Sequence, residues 1–240
     1  MLRRAGWVLM VAVMALLTAC GPQTPGPDAI DWKRPYCPFD QNLVLFGGDS
    51  LTTKWPAYIP LPSGMTRYNT AKGGLMYSRN VTLDPTFGTI GSNLIDDLDE
   101  CGNGIGAAVF GGGGVDLSWG ISGGEVIAAI DALDEEMYAR SIPTIFVTMT
   151  PVSDATPWNA AHQADRKAVN AWMTTPGNLH ATVVDCSPAL ESAPGSDVLA
   201  QQYWNLTDVF GTVDLLHPNE AGYAAIAACV RPAILTASGH

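Results

Sequence analysis

The chain has 240 residues, 47% of them hydrophobic and 15% charged, and its 12 Lys and Arg stand against 23 Asp and Glu for a formal net charge of −11. That composition excludes a disordered or fibrous chain and leaves enough apolar surface for one globular domain. With no basic run, nucleic acid and anionic headgroups are excluded as electrostatic partners.

Arg3 and Arg4 precede a short apolar stretch, residues 7–17, which is closed by Leu17-Thr18-Ala19-Cys20. The stretch is too short to cross a bilayer comfortably, so residues 1–19 read as a signal peptide. Its ending resembles the lipobox of bacterial lipoproteins. That resemblance implies that Cys20 is lipidated, becomes the mature N-terminus and anchors an exported protein to the bacterial cell envelope. Cleavage removes two arginines and no acid, so the mature chain is more acidic still. Residues 20–36 hold the lipidated cysteine and a tether, Pro/Gly-rich over 21–28, and residues 37–240 hold the domain. Four cysteines remain: Cys37, Cys101, Cys186 and Cys229. In an oxidising compartment two disulfides are plausible, with all three pairings open and buried free thiols as the alternative. Cys37 and Cys101 would meet if the strands that follow them are neighbours. No spacing suits zinc, so no metal is expected. The sequons at 80–82 and 205–207 carry no meaning in a bacterium.

From residue 42 short apolar runs alternate with longer amphipathic ones. Residues 43–46 are continuously apolar and closed by Gly47-Gly48, which predicts a buried strand. Residues 65–70 are a weaker second strand. Residues 90–98 carry a helical stripe at Ile90, Leu94, Ile95 and Leu98. A third strand over 105–110 runs into four glycines, 111–114. Residues 125–138 are helical, 144–149 are a β-branched strand between two prolines, 160–173 are helical, and 181–184 are a fifth strand. An Ala-rich helix over 218–230 closes the domain, with Pro218 in its first turn. This alternation predicts an α/β fold: a three-layer α/β/α sandwich around a central, mostly parallel five-stranded sheet. Its ligand site is expected beyond the carboxyl ends of the strands.

Gly48-Asp49-Ser50-Leu51 follows the first strand. A serine that opens a helix there has an unpaired backbone N–H, able to hold an oxyanion, but its hydroxyl needs a base within hydrogen-bond reach. Among four histidines, His240 is the last residue, His162 lies on a polar helix and is expected to be solvated, and His180 falls in a polar turn. His217 stands in Asp214-Leu215-Leu216-His217-Pro218-Asn219, where Asp214 is placed to orient its imidazole. Taken singly, Gly-Asp-Ser is also a common turn and Asp-x-x-His a capping arrangement. Trp55, Tyr58, Trp119 and Trp158 follow these loops and either line a pocket or pack in the core.

Together these blocks resemble the GDSL, or SGNH, family of serine esterases and acylhydrolases, over roughly residues 42–232. Phe46-Gly47-Gly48-Asp49-Ser50-Leu51 matches its first block. Asp214 to Asn219, running on through Ala221-Gly222-Tyr223, matches its last, and residues 148–152 match its fourth strand and exit. Residues 69–74 match its second block, which puts Gly74 at a backbone oxyanion donor. The resemblance implies an SGNH-hydrolase-like, flavodoxin-like fold, an ester substrate, a Ser50–His217–Asp214 triad with an acyl-enzyme, no cofactor, and a monomer. One block departs: Gly113-Gly114-Val115-Asp116 stands where the family has Gly-x-Asn-Asp, and valine donates nothing. Losing one such donor costs about 10²–10³ in rate. The glycine run offers a backbone N–H at Gly114 in its place, or is simply a loop. Two alternatives share these residues: an envelope- or glycan-binding module of the same fold, weakened or without activity, and an O-acyltransferase using the same triad.

Overall fold

The computed structural model describes residues 42–79, 88–101, 105–152, 158–205 and 214–239. The signal peptide, Cys20, the tether, Cys37, His240 and the sequons, in whole or part, lie outside the described residues, as does the side chain of Cys101.

Five strands form one parallel sheet: β1 (Leu43–Gly48), β2 (Thr66–Asn69), β3 (Ala107–Gly111), β4 (Thr144–Val147) and β5 (Thr182–Val184), in the order β2-β1-β3-β4-β5. The helices are α1 (Ile90–Cys101), α2 (Gly114–Ser118), α3 (Gly123–Ala139), α4 (Ala160–Thr174), α5 (Ser187–Leu190) and α6 (Glu220–Ala237). A separate antiparallel pair, β6 (Trp204–Asn205) and β7 (Asp214–Pro218), lies between α5 and α6 in the chain.

Both faces of the sheet are covered, and the period of two in the strands sorts the core. Leu43 and Leu45 of β1, Ala108 and Phe110 of β3, and Phe146 of β4 enter one cluster. They meet Ile90, Leu94 and Leu98 of α1, Val126, Ile130, Leu133 and Met137 of α3, and Val169 and Met173 of α4. Val44, Phe46, Ala107, Val109, Ile145 and Val147 point the other way, onto Tyr223, Ile226, Val230 and Ile234 of α6. Strands buried on both faces read as continuous apolar runs, which is why the sequence shows them so clearly. The fold is therefore the expected α/β/α sandwich, and its sheet is entirely parallel.

Three sequence expectations change. Pro218 ends β7 and is not in a helical first turn; Asn219 caps α6, its side chain accepting from the Gly222 N–H. That helix runs seven residues past the expected end, through Pro232, because Ile234 continues the buried stripe of Ile226 and Val230. The Asp214–His217 segment, read as a loop, is a strand paired with β6. Cys186, just beyond β5, is bonded to Cys229 on α6 with their Cα atoms 5.9 Å apart, which staples the last helix to the sheet.

Candidate active site

All five parallel strands end at one edge of the sheet, and Ser50 lies there, immediately past β1. The turn holding it is built on close backbone contact between β1 and β3. Gly48 pairs with Gly111, and a Cβ on Gly48 would fall on the Gly111 carbonyl and the Thr52 side chain. The Asp49 N–H (3.3 Å) and the Thr52 hydroxyl (2.8 Å) both donate to that carbonyl. Ser50 does not open a helix. Residues 50–54 are consecutive turns, and a short 3-10 turn begins only at Trp55. Side chains compete for the backbone here: Asp49 Oδ1 takes the Leu51 N–H at 3.0 Å, and the Thr53 hydroxyl donates to the Ser50 carbonyl at 2.7 Å.

His217 and Asp214 arrive on β7. Asp214 Oδ1 accepts from the backbone N–H groups of Leu216 and His217, both at 3.0 Å, which fixes the carboxylate before it meets the ring. Its Oδ2 lies 2.8 Å from His217 Nδ1, and His217 Nε2 lies 2.7 Å from Ser50 Oγ. Burial raises the Asp214 carboxyl, but hydrogen bonds from the His217 side chain and backbone outweigh it and hold the group below the usual carboxylate range. An ionised Asp214 only accepts, so Nδ1 carries the imidazole proton and Nε2 is left to accept from the Ser50 hydroxyl. Asn219 secures the unit from behind, donating from Nδ2 to the carbonyls of Gln202 and Trp204. Gly222 is required because a Cβ there would collide with Pro218.

The second block closes on Ser50 from β2. Asn69 donates to the Thr52 and Thr53 carbonyls and accepts from the Ala71 N–H, and the Lys72 N–H donates to the Gly48 carbonyl. A Cβ on Gly73 would lie 3.8 Å from Ser50 Cβ, and Gly74 follows with φ +82°, a conformation that glycine adopts without strain. Neither the Ser50 nor the Gly74 N–H is taken by a backbone acceptor among the described residues. Gly114 is placed differently. It opens α2 after Gly113 at φ +99°, and the side chains nearest its Cβ position are Trp158 and Asp49, not Ser50. Val115 is half-buried against the main core cluster.

Two buried carboxyls, which the sequence reading did not single out, lie behind this surface. Asp116 accepts from the Tyr77 and Ser78 N–H groups at 3.0 and 2.9 Å and so ties α2 to the segment after β2. Asp49 is 1% exposed; its Oδ2 has no partner at full hydrogen-bond geometry among the described residues, and burial pushes its carboxyl up to about 6. Their signal in the sequence was an acid in or just after a glycine-rich turn that follows an apolar strand. Such a signal also describes an exposed turn.

The aromatics divide. Trp55 is core, edge-on to Phe46, whereas Trp119 is exposed and Tyr58 stacks on Tyr223. Trp158 is buried against Gly114, and its indole N–H has no partner among the described residues. His162 is not simply solvated: its ring sits edge-on to Trp158, and its Nδ1 is buried. His180 stacks on Tyr138 in the turn before β5, far along the sheet from Ser50. No group of three or more His, Cys, Asp or Glu among the described residues is placed to hold a metal ion.

No protein-family model matches the chain, and no curated protein does. Solved structures do share its fold. A GDSL-like lipase from Bacteroides thetaiotaomicron is 18% identical over 82% of this chain and 89% of its own, with a TM-score of 0.62. A carbohydrate esterase family 3 protein from Talaromyces cellulolyticus is 18% identical over 82% of this chain and 98% of its own, with a TM-score of 0.52. The C-terminal domain of the Drosophila Oskar protein is 13% identical over 81% of this chain and 87% of its own, with a TM-score of 0.54. At such identities the likeness is one of fold, and function has to be argued from the site.

Proposed function

We propose that the chain is a serine hydrolase cleaving carboxylic esters, with Ser50 as nucleophile, His217 as general base and acid, and Asp214 as orienting group. The carrying observation is the unbroken relay from Ser50 Oγ to His217 Nε2 (2.7 Å) and from His217 Nδ1 to Asp214 Oδ2 (2.8 Å), across 167 residues of sequence for the first link. Ser50 Oγ attacks the ester carbonyl as its proton passes to Nε2. The Ser50 and Gly74 N–H groups hold the oxyanion, and the protonated His217 gives its proton to the leaving alcohol. Water, deprotonated by His217, then cleaves the acyl-enzyme and regenerates Ser50. The fold neighbours that are a lipase and a carbohydrate esterase support an ester as substrate.

Export and anchorage through a lipid on Cys20 belong to the same reading and rest on the sequence of residues 1–20. No helix among the described residues is long and apolar enough to cross a membrane. The deciding experiment is labelling of the purified protein with a fluorophosphonate, beside Ser50→Ala and His217→Ala. Label on Ser50 that is lost in both variants is expected. No label on a folded protein would overturn the catalytic reading in favour of a binding module of the same fold.

A further inference from the structure

Asp49 is a buried acid that the triad mechanism leaves unused. It precedes Ser50 directly, and its side chain turns inward. Oδ1 accepts from the Leu51 N–H, inside the nucleophile turn. Oδ2 faces the glycine loop that leads into α2: a Cβ on Gly112 would stand 3.4 Å from it, and one on Gly114 3.8 Å. The carboxyl thus fills the space between the two loops. It is 1% exposed; Oδ2 has no partner at full hydrogen-bond geometry among the described residues, but it faces the Val115 N–H of α2, which favours its ionised form. A buried, half-satisfied carboxyl is costly, and its retention beside the nucleophile calls for an explanation.

The charged and titratable groups around it come from four elements. From β7, His217 favours its ionised form; from α2, Asp116 opposes it. The segment after β2 brings the Tyr77 hydroxyl, buried without a partner among the described residues and pushed up by burial and then by both carboxyls. From α6, buried Tyr223 is raised by burial and then by Asp214 and Asp49. Among the groups acting on Asp49, the one able to carry a compensating positive charge is His217, and it carries that charge only when protonated.

We propose that Asp49 is a positioning residue of the triad, a buried acid that holds the nucleophile turn against the glycine loop and whose negative charge stabilises the imidazolium formed on His217 as Ser50 attacks. The proposal rests on the catalytic reading above. Attack moves a proton from Ser50 Oγ to His217 Nε2, so a positive charge appears where an ionised Asp49 favours it. With Asp49 protonated, the same step proceeds with Asp214 alone. Burial lifts the Asp49 carboxyl to about 6, so it loses its proton as the pH rises towards neutrality. Full activity then needs two deprotonations, at His217 and at Asp49, and the acid limb of the kcat/KM profile is steeper than one ionisation allows.

The test compares the full native chain with Asp49→Asn, which keeps the shape and an acceptor for Leu51. Ester hydrolysis is followed from pH 4.5 to 9, and the carbon-13 resonance of the His217 ring, assigned by its loss in His217→Ala, is titrated in parallel. The variant is expected to show kcat/KM about tenfold lower at pH 8 and an acid limb reduced to a single ionisation. The native His217 resonance is expected to show a second inflection near pH 6 that the variant lacks. A variant whose profile keeps its native shape, scaled down uniformly, would mean a merely structural role and would overturn the proposal. If the variant does not fold, a single inflection in the native resonance overturns it and a double one supports it. If the native chain hydrolyses no ester, the catalytic reading fails separately, and the resonance still decides whether Asp49 and His217 are coupled.

Discussion

Asp49→Asn also makes a prediction about stability that runs against its effect on rate. Burial raises the Asp49 carboxyl from 3.8 to about 6, so the native state holds a proton that the unfolded chain releases near 3.8. The associated stabilisation is complete below about pH 4 and is lost as pH rises through about 6. At about 1.36 kcal/mol per pH unit the whole window amounts to roughly 3 kcal/mol, of which roughly 2.5 kcal/mol falls between pH 4 and pH 8. Asparagine has no such window. Whatever constant cost its amide incurs beside the Val115 N–H, the variant should gain roughly 2.5 kcal/mol on the native chain between those two pH values. Urea unfolding of both chains at pH 4, 5, 6, 7 and 8 measures this directly, and the other titrating groups, Asp116 included, are present in both. For a domain of this size the gain corresponds to a relative rise in Tm of roughly 5–10 °C. A stability difference that stays flat with pH would refute the argument, because it would mean that Asp49 ionises alike in the folded and unfolded chain.

Asp214→Asn should lower kcat by about 10⁴, since an amide cannot fix the Nδ1–H tautomer as the ionised carboxylate does; steady-state kinetics with a chromogenic ester reads it, and a loss under tenfold would contradict the relay. Val115→Asn should raise kcat by up to about 10²-fold while costing about 1–2 kcal/mol for placing an amide against the core, read from the same assay and from urea unfolding; an unchanged rate on a folded protein would mean that position 115 does not reach the oxyanion. Cys229→Ala opens a cross-link spanning 43 residues, and should cost about 4 kcal/mol and lower Tm by roughly 10 °C. Mass mapping of unreduced peptides from the native chain should find the same Cys186–Cys229 link, and a different partner for either would refute it.

The parts of the fold that were legible in the sequence are those whose burial writes a long or continuous pattern. β1, β3 and β4 are buried on both faces and appear as unbroken apolar runs, and α1 and α3 carry their stripes over about two and a half and three turns. β2 and β5, though short, were still expected, but the shortest elements around the site write nothing. α2 has five residues and owes its start to Gly113 at φ +99°, a backbone property with no periodicity behind it. β6 has two residues, and β7 is a strand only because β6 lies beside it, a tertiary fact that the local sequence of Asp214 to Pro218 does not contain. The end of α6 was misplaced for a related reason. Pro232 is a strong local stop signal, but the buried stripe from Ile226 to Ile234 outweighs the hydrogen bond it removes.

The site divides along the same line. The grouping of Ser50, His217 and Asp214 was legible because a hydroxyl, an imidazole and a carboxylate at such positions are of few kinds, and the structure brings these three together. Asp49 was not, because the sequence shows an acid beside glycines and a serine, which is also how a solvated turn looks. What separates the two cases is the packing of β1 on β3. Glycine at both 48 and 111 lets the two backbones approach, and the approach draws the following residue inward. Once Asp49 is inside, an ionised carboxyl is favoured by a positive charge, and among the groups acting on it His217 is the one able to carry one, which under the proposed mechanism it does during attack. Replacing Gly48 by Ala therefore disturbs more than a strand end. The added methyl pushes against the Gly111 carbonyl and Thr52, spreads the two loops and lets water reach Asp49. The same substitution should thus lower the rate and bring the Asp49 carboxyl down towards its ordinary range, visible as a weakened pH dependence of unfolding between pH 4 and 8. A variant that loses rate but keeps that pH dependence would show that the glycines serve the backbone of Ser50 alone.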